Sequence, residues 1–296
     1  METVGPLVES FKRELRAERL DRKTIHAYAL GVLMFVEYMG HEMRTAPLDI
    51  LTRENLRNWI IDTEPKWKPN TIRTHFSGVR RFANWLVVEE IIESDPTERV
   101  VLPVEKEQSP EILSDAELQA ILKSLSGKDF ESRKDTALVR LLLDTGMRAF
   151  ELLSMTVSGT DLDNEMTVVT GKRGKVRRVY FSSRTVSAID RYLRVRSSHK
   201  HAQLDALFLT QRGPMSQRSL NDRIAAIGRE VGIEHLHPHR FRHTWAHDHL
   251  LNGTSTVDLK RLAGWSSDAM LSRYGASGAD VRAEQTARRQ ARGDRV

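Results

Sequence analysis

Pro96, Pro103 and Pro110 fall at regular intervals in the stretch "SDPTERVVLPVEKEQSPEILSDAEL", with charged residues between them. Proline has no backbone N–H, and its ring clashes with the preceding helical turn, so no helix can run through this segment. The chain must therefore fold as two bodies. We place the linker at about residues 94–112 and the boundary near residue 105, giving an N-terminal domain over 1–105 and a second domain over 106–276. A tail follows at 277–296. A length of 296 residues accommodates two domains comfortably.

On the N-terminal side the apolar pattern is helical. "VESFKRELRAE" and "KTIHAYALGVLMFVEYM" repeat apolar residues at three- and four-residue spacing, as in Ile25, Ala29, Val32, Phe35 and Val36. Asp49 or Thr52 is suited to cap a short helix through "RENLRNWIID". After Pro69, "NTIRTHFSGVRRFANWLVVEE" aligns Ile72, Phe76, Val79, Phe82 and Leu86 on one face. The opposite face carries Arg73, Thr74, Ser77, Arg80, Arg81 and Asn84, with no acid along the helix before Glu89. A basic, hydroxylic face of this kind suits DNA phosphates and base edges.

Beyond the linker, Ser114 with Glu117 forms a capping-box signature for a helix through Leu122. "KDTALVRLLLDTG" reads as a buried helix ended by Gly146, and "RAFELLSM" as a short one. "EMTVVTGKRGKVRRVYFS" switches to β-branched residues around a glycine-containing basic turn, which predicts a hairpin. Helical patterns resume in "RTVSAIDRYLRVRS", "SQRSLNDRIAAIGREVG", "HRFRHTWAHDHLLNG", "TVDLKRLAGW" and "SDAMLSRYG". The expected fold is mainly α with a small β-hairpin or sheet.

Charge divides unevenly across the boundary. Residues 1–105 hold 15 Lys/Arg against 17 Asp/Glu, and the remainder 31 against 23. A basic C-terminal half points to a polyanionic partner, most simply nucleic acid. There are no cysteines, which excludes disulfides, thiolate metal sites and cysteine nucleophiles. The N-terminus lacks the apolar core of a signal peptide, and no apolar run approaches the roughly 20 residues of a membrane span.

The densest chemistry lies in "LHPHRFRHTWAHDHLL", residues 236–251, with five histidines and two arginines. A metal site, a phosphate site and a plain polar helix face all compete for it. His239, His243 and His247 share a helical face, but the glutamate base and spacing of H-E-x-x-H are missing. The phosphate reading draws in more of the chain. Arg242, three residues after His239, meets it on one helix face. Arginine's fork matches two phosphate oxygens, and imidazole can donate to a third or carry a proton. Arg148, just after "DTG" at a helix start, supplies a second cation where helix-terminal amides favour an anion.

In order and spacing, "DTGMRAFELLSM", "HRFRHTWAHDHLLNG" and "LAGWSSDAMLSRYG" resemble the three sequence boxes of the tyrosine recombinases, the lambda-integrase family. "VVTGKRGKVRRVYF" resembles that family's lysine-bearing hairpin. The first hundred residues resemble its helical, SAM-like core-binding domain, and residues 106–276 its mixed α/β catalytic domain. The resemblance implies a phosphate-binding box at 236–251 rather than a zinc site.

It further implies that Arg148 and Arg242 clamp the scissile phosphate, and that His239 bonds the phosphate and assists proton transfer. Tyr274 would be the nucleophile. Trp265 stands where the commonest pattern has histidine; its indole N–H can donate but cannot titrate. Lys172 would be the general acid, with Lys175 in the same turn as the rival and otherwise a DNA contact. Glu151 would orient the cations and His243 would buttress the site. Tyr28, Tyr38, Tyr180 and Tyr192 read as packing residues with a polar tip, and His237, His247 and His249 as surface or packing histidines.

The implied reaction forms a 3′-phosphotyrosyl link and passes through a Holliday junction, with no metal, ATP or other cofactor. The implied partners are double-stranded DNA recombination sites and three further copies of the chain, in a tetramer on two duplexes. The tail would dock on a neighbouring protomer, and a directionality or DNA-bending factor would assist. The expected location is the bacterial cytoplasm, on the nucleoid. "LAGWSSDAMLSRYGAS" is most similar to phage integrases of actinobacterial type, with no separate arm-site-binding domain expected. A Xer-like or transposon-borne recombinase is the second reading. A type IB topoisomerase and a non-catalytic DNA-binding regulator come after it.

Overall fold

The computed structural model describes residues 2–104, 110–171, 174, 176–265, 267, 268, 271, 283, 284, 287, 288 and 293. The backbone separates into two compact units, Met1–Glu107 and Gln108–Val296. Among the described residues the fold is mainly helical, with two small antiparallel sheets. Among the described residues no helix is long and apolar enough to cross a membrane.

The first unit contains α1 (Val4–Ala17), α2 (Arg22–Tyr38), α3 (Arg53–Thr63) and α4 (Pro69–Val88). Helix α1 buries Val4, Val8, Phe11 and Leu15, one stripe at helical spacing. Asp21 caps α2 by accepting from the Thr24 N–H at 3.0 Å. Thr52, not Asp49, caps α3, accepting from the Asn55 N–H at 3.2 Å, while Asp49 sits in a short 3-10 turn. Pro69 opens α4 at a position whose N–H would have no helical partner anyway.

Helices α2 and α4 meet through two glycines. A Cβ on Gly31 would lie 2.2 Å from the His75 carbonyl oxygen, and one on Gly78 would lie 2.4 Å from that of Tyr28. Any side chain at either position must force the helices apart. The contact lets Phe35, Phe76, Val79 and Phe82 pack into one core with Trp59 and Phe11. Full burial of such a side chain contributes about 1.5–3 kcal/mol.

The second unit begins with α5 (Asp115–Ser124), whose Ser114–Glu117 capping box is formed in both directions. Helix α6 (Phe130–Thr145) is capped by Asp129 and ends at Gly146, which adopts φ +52°. The Trp245 ring lies against the missing side chain of Gly146, so a Cβ there would come within 2.4 Å of it. Next come α7 (Ala149–Leu153), β1 (Thr160–Asp161), β2 (Met166–Thr170) and β3 (Val176–Tyr180). They are followed by α8 (Ser183–Arg196), β4 (Leu209–Thr210), β5 (Gly213–Pro214), α9 (Gln217–Glu230), α10 (Pro238–Leu251) and α11 (Thr256–Ala263). Strands β2 and β3 form the expected hairpin, with Met166 opposite Tyr180 and Thr170 opposite Val176.

Leu138, Leu142, Ile189, Tyr192, Ile224 and Phe241 belong to the main core of this unit. A smaller core of Trp245, Ala246, Leu250, Leu259, Ala263 and Trp265 joins α10 to α11. Asp144 ties the end of α6 to the start of α8, accepting from the Ser182 N–H at 2.8 Å and from the Thr185 hydroxyl at 2.6 Å.

The tyrosines divide by environment. Tyr192 is fully buried, its hydroxyl accepting from the Leu209 N–H at 3.1 Å. Burial pushes its pKa up to about 12. Tyr38 donates to Asp62 at 2.7 Å, and Tyr28 packs on the first core. Tyr180 departs from the packing role: it alternates outward on β3 and is 56% exposed. The helix expected over "SDAMLSRYG" and the tail at 277–296 lie largely outside the described residues.

Candidate active site

Arg148 is the N-cap of α7, and its backbone N–H donates to Glu151 at 2.8 Å, so the acid both caps the helix and faces the arginine. The Arg148 guanidinium also reaches Glu151 at 3.4 Å and keeps 30% of its side chain exposed. Glu151 is not a surface acid: it is 1% exposed. Burial alone would raise its pKa. Hydrogen bonds from the Arg177 side chain and the Arg148 backbone, with both positive charges, outweigh that and hold it below the ordinary 4.5.

Arg177 was not among the residues expected from the sequence. It sits on β3, donates to Glu151 at 2.9 Å and gives a further hydrogen bond to the Leu262 carbonyl at 2.5 Å. It thereby joins the hairpin to α7 and to the end of α11. The signal was present as alternation. Val179 and Val169 point into the core, and Arg177, two residues from Val179 and opposite Val169, points the same way.

Arg242 lies on α10 and is 2% exposed. Its fork donates to the Gly146 carbonyl at 2.5 Å and the Ala263 carbonyl at 2.7 Å, with the guanidinium carbon 5.5 Å from the centre of the Trp265 ring. Arg148 donates to the next carbonyl, that of Gly264, at 3.4 Å. Two arginines far apart in the chain therefore hold neighbouring carbonyls at the turn that ends α11. Trp265 is 6% exposed in the smaller core.

His239 occupies the first turn of α10 and reaches solvent. Partial desolvation, then the charges of Arg242, His237 and Arg148, lower its pKa below 6.5, so it is mostly neutral at neutral pH. A neutral imidazole there can accept a proton. His243 is half-buried and stacks on His239, with ring centres 6.1 Å apart. His237 is the N-cap of α10, accepting from the Arg240 N–H at 3.2 Å. His249 packs against Trp245 and shares a hydrogen bond with Thr254 at 3.0 Å.

The structure thus gathers Arg148, Glu151, His239, Arg242, His243 and Trp265. Lys172, Lys175 and Tyr274 lie outside the described residues. On α4, Arg73, Thr74, Ser77, Arg80 and Arg81 are exposed on one side, as expected. One detail differs: the face is not free of acids, because Glu18 of α1 pairs with Arg81. The Ser77 hydroxyl donates back to the Thr74 carbonyl at 2.7 Å, and Arg80 lies over the Phe76 ring.

Residues 111–280 match the phage integrase family, and residues 8–90 match the phage integrase N-terminal SAM-like domain. The chain belongs to the phage integrase family. It is a tyrosine recombinase, an enzyme of site-specific DNA strand exchange. Among curated relatives, the tyrosine recombinase XerD of Halalkalibacterium halodurans is 27% identical, covering 89% of this chain and 90% of that protein. The tyrosine recombinase XerA of Saccharolobus solfataricus is 29% identical, covering 88% and 84%. Two solved structures share the fold. The Tn1549 transposon integrase with transposon right end DNA has a TM-score of 0.77 at 19% identity, covering 98% of this chain and 100% of that one. The lambda integrase dimer on a core site has a TM-score of 0.73 at 16% identity, covering 92% and 77%.

In this family member the Glu151–Arg177 pair has a measurable signature. Glu151 has a folded-state pKa below its unfolded value, so its stabilisation is present above about pH 4.5 and is lost as pH falls through the folded value. Arg177→Ala is expected to lower stability by about 2 kcal/mol near pH 7. The gap to wild type should shrink in thermal melts taken near pH 3. A gap independent of pH would show that Arg177 acts through packing alone.

Proposed function

We propose that Tyr274 attacks a DNA phosphodiester held by Arg148, Arg242, His239 and Trp265. The observation that carries this is the convergence of Arg148 and Arg242 on the adjacent carbonyls of Gly264 and Ala263, the turn from which the chain runs on to Tyr274. The tyrosine oxygen bonds to phosphorus as the bond to the 5′-oxygen breaks, leaving a 3′-phosphotyrosyl link and a free 5′-hydroxyl. The phenol's proton passes to His239, whose lowered pKa suits a base. The departing 5′-oxygen takes a proton from Lys172. Arg148 and Arg242 stabilise the charge that grows on the phosphoryl oxygens. A 5′-hydroxyl from a partner duplex then reverses the chemistry, so bond energy is conserved and neither ATP nor metal is needed.

The partners in this reading are two double-stranded DNA sites and three further copies of the chain, with the tail at 277–296 docking on a neighbour. A directionality or DNA-bending factor belongs to the same picture. The exposed face of α4, with Arg73, Thr74, Ser77, Arg80 and Arg81, contacts DNA from the N-terminal unit, and Lys175 from the hairpin turn. The chain acts in the bacterial cytoplasm. Trp265 in "LAGWSSDAMLSRYG" favours a phage integrase of actinobacterial type. The curated Xer relatives at 27% and 29% identity favour a Xer-like role instead.

Two measurements test the chemistry. Cleavage is expected to continue in excess EDTA; loss on chelation, restored by a divalent metal, would contradict it. The acid is tested with a 5′-bridging sulfur at the scissile phosphate, a leaving group that needs little protonation. Lys172→Ala should cut ordinary DNA about 10²–10⁴-fold more slowly and regain most of that rate on the sulfur substrate. Lys175→Ala should lose affinity equally for both substrates. Selective sulfur rescue of Lys175→Ala would transfer the role to Lys175.

A further inference from the structure

A groove of about 620 Å³ opens between α6, α8 and the loop that follows α5. Its volume is that of a ligand site rather than a surface dimple. Five cations line it: Lys128, Arg133, Arg140, Arg184 and Arg191. Among the described residues no carboxylate does, although the chain as a whole carries 40 Asp and Glu against 46 Lys and Arg. Among the described residues none of the five forms an ion pair, unlike Arg223 and Arg240 of the same unit, which pair with Asp135 and Glu117.

The groove is built on ordered structure. Its lining includes Leu125 and Ala188, 3% and 5% exposed. Arg133 and Arg140 are half-buried, and Arg133 donates to the Lys128 carbonyl at 3.3 Å, which holds the loop in place. The loop passes close to the start of α6 at Gly127, where a Cβ would lie 2.3 Å from the Ser132 hydroxyl. Gathering five like charges around one groove is unfavourable in the empty protein, and a multivalent anion would remove that repulsion.

The spacing says more about the anion. Arg133 and Arg140 lie two turns apart on α6, and Arg184 and Arg191 two turns apart on α8, each about 10.5 Å along its helix. A row of that length exceeds a single phosphate group, so the two rows suit an anion that carries several phosphates in sequence. A phosphate chain passing between the rows meets guanidinium forks on both sides. None of the described residues lining the groove belongs to the Arg148–Arg242 cluster, which lies past the end of α6.

We propose that this groove is a second phosphate site, which takes a chain of phosphates separate from the scissile phosphate. The chain of phosphates can come from a nucleic-acid strand or from a free polyphosphate. Acidic peptides are the competing chemistry.

The test uses the full chain carrying Tyr274→Phe, so that no covalent adduct interferes. Sodium tripolyphosphate is titrated by calorimetry at low salt, and a labelled duplex of scrambled sequence by fluorescence anisotropy. Tripolyphosphate should bind, and Arg140→Gln with Arg191→Gln should weaken the binding tenfold or more. The matched surface pair Lys200→Gln with Arg229→Gln should stay within twofold of the parent. Ser187→Glu, an exposed change that places an acid in the groove, should also weaken binding tenfold, which covers the case of a poorly folded double variant. If scrambled duplex displaces tripolyphosphate and itself binds more weakly to the groove variants, the source is nucleic acid. If tripolyphosphate stays bound under saturating duplex, the source is free polyphosphate. Absence of binding, an equal loss in the control pair, or binding of oligoglutamate in place of tripolyphosphate would overturn the proposal. These readouts are equilibria that need no recombination, so they can fail or succeed independently of the function proposed above.

Discussion

Arg242→Ala is expected to reduce DNA cleavage by at least about 10²–10³-fold, the usual effect of removing one preorganised donor at a developing oxyanion. The loss should have a structural component as well. The Arg242 fork holds the carbonyls of Gly146 and Ala263, both inside the fold, and truncation leaves them without that donor. An unsatisfied buried acceptor costs about 1–3 kcal/mol, so the melting temperature should fall too. Arg242→Lys separates the two effects. It keeps a positive charge near the site, but an ammonium lacks the planar fork that spans two acceptors. Most of the cleavage defect should therefore persist in Arg242→Lys while DNA affinity stays close to wild type. Single-turnover cleavage, anisotropy and a thermal melt on the same preparations check this. Cleavage near the wild-type rate in a folded Arg242→Ala would remove Arg242 from the chemistry.

The parts of this architecture that the residues announce in advance are those set by local rules. Proline spacing marks the division into two units, and the helical stripes of α1, α2 and α4 follow from three- and four-residue periodicity. Ser114, Thr52 and Gly146 end or begin helices for reasons of hydrogen bonding and backbone freedom that are visible in a few residues each. Arg148, His239 and Arg242 were legible because three separated boxes occur together.

What was not legible depends on distant partners. The Gly31–Gly78 crossing requires knowing that α2 packs on α4, which neither glycine reveals alone. The pairing of Arg81 with Glu18 joins residues on different helices, so the α4 face looked more uniformly basic than it is. Arg177 stands in a run of cations, "KRGKVRRV", and composition cannot say which one turns inward. Register decides it: Arg177 lies opposite buried Val169, whereas Arg178 lies opposite Val168 on the exposed side. His237 gave no sign of being a cap because histidine is rarely considered for that role, yet its ring nitrogen accepts from the third residue as an aspartate would.

The second large effect concerns Tyr274, whose role makes the whole account either right or wrong. Tyr192 is buried with its pKa pushed up to about 12 and its hydroxyl bonded to the Leu209 backbone, so it is unsuited to attack a phosphate. Tyr28 and Tyr38 belong to the N-terminal unit, Tyr38 committed to Asp62. Tyr180 is exposed on the hairpin and lies outside the three boxes. The most direct measurement is to incubate the protein with its recombination-site DNA, denature, and look for a protein–DNA adduct resistant to detergent. The adducted peptide is then mapped by mass spectrometry. The account predicts an adduct on the peptide containing Tyr274, through a 3′-phosphate, that disappears in Tyr274→Phe while DNA binding is retained. An adduct at normal yield in Tyr274→Phe, or mapped to Tyr180, would contradict it.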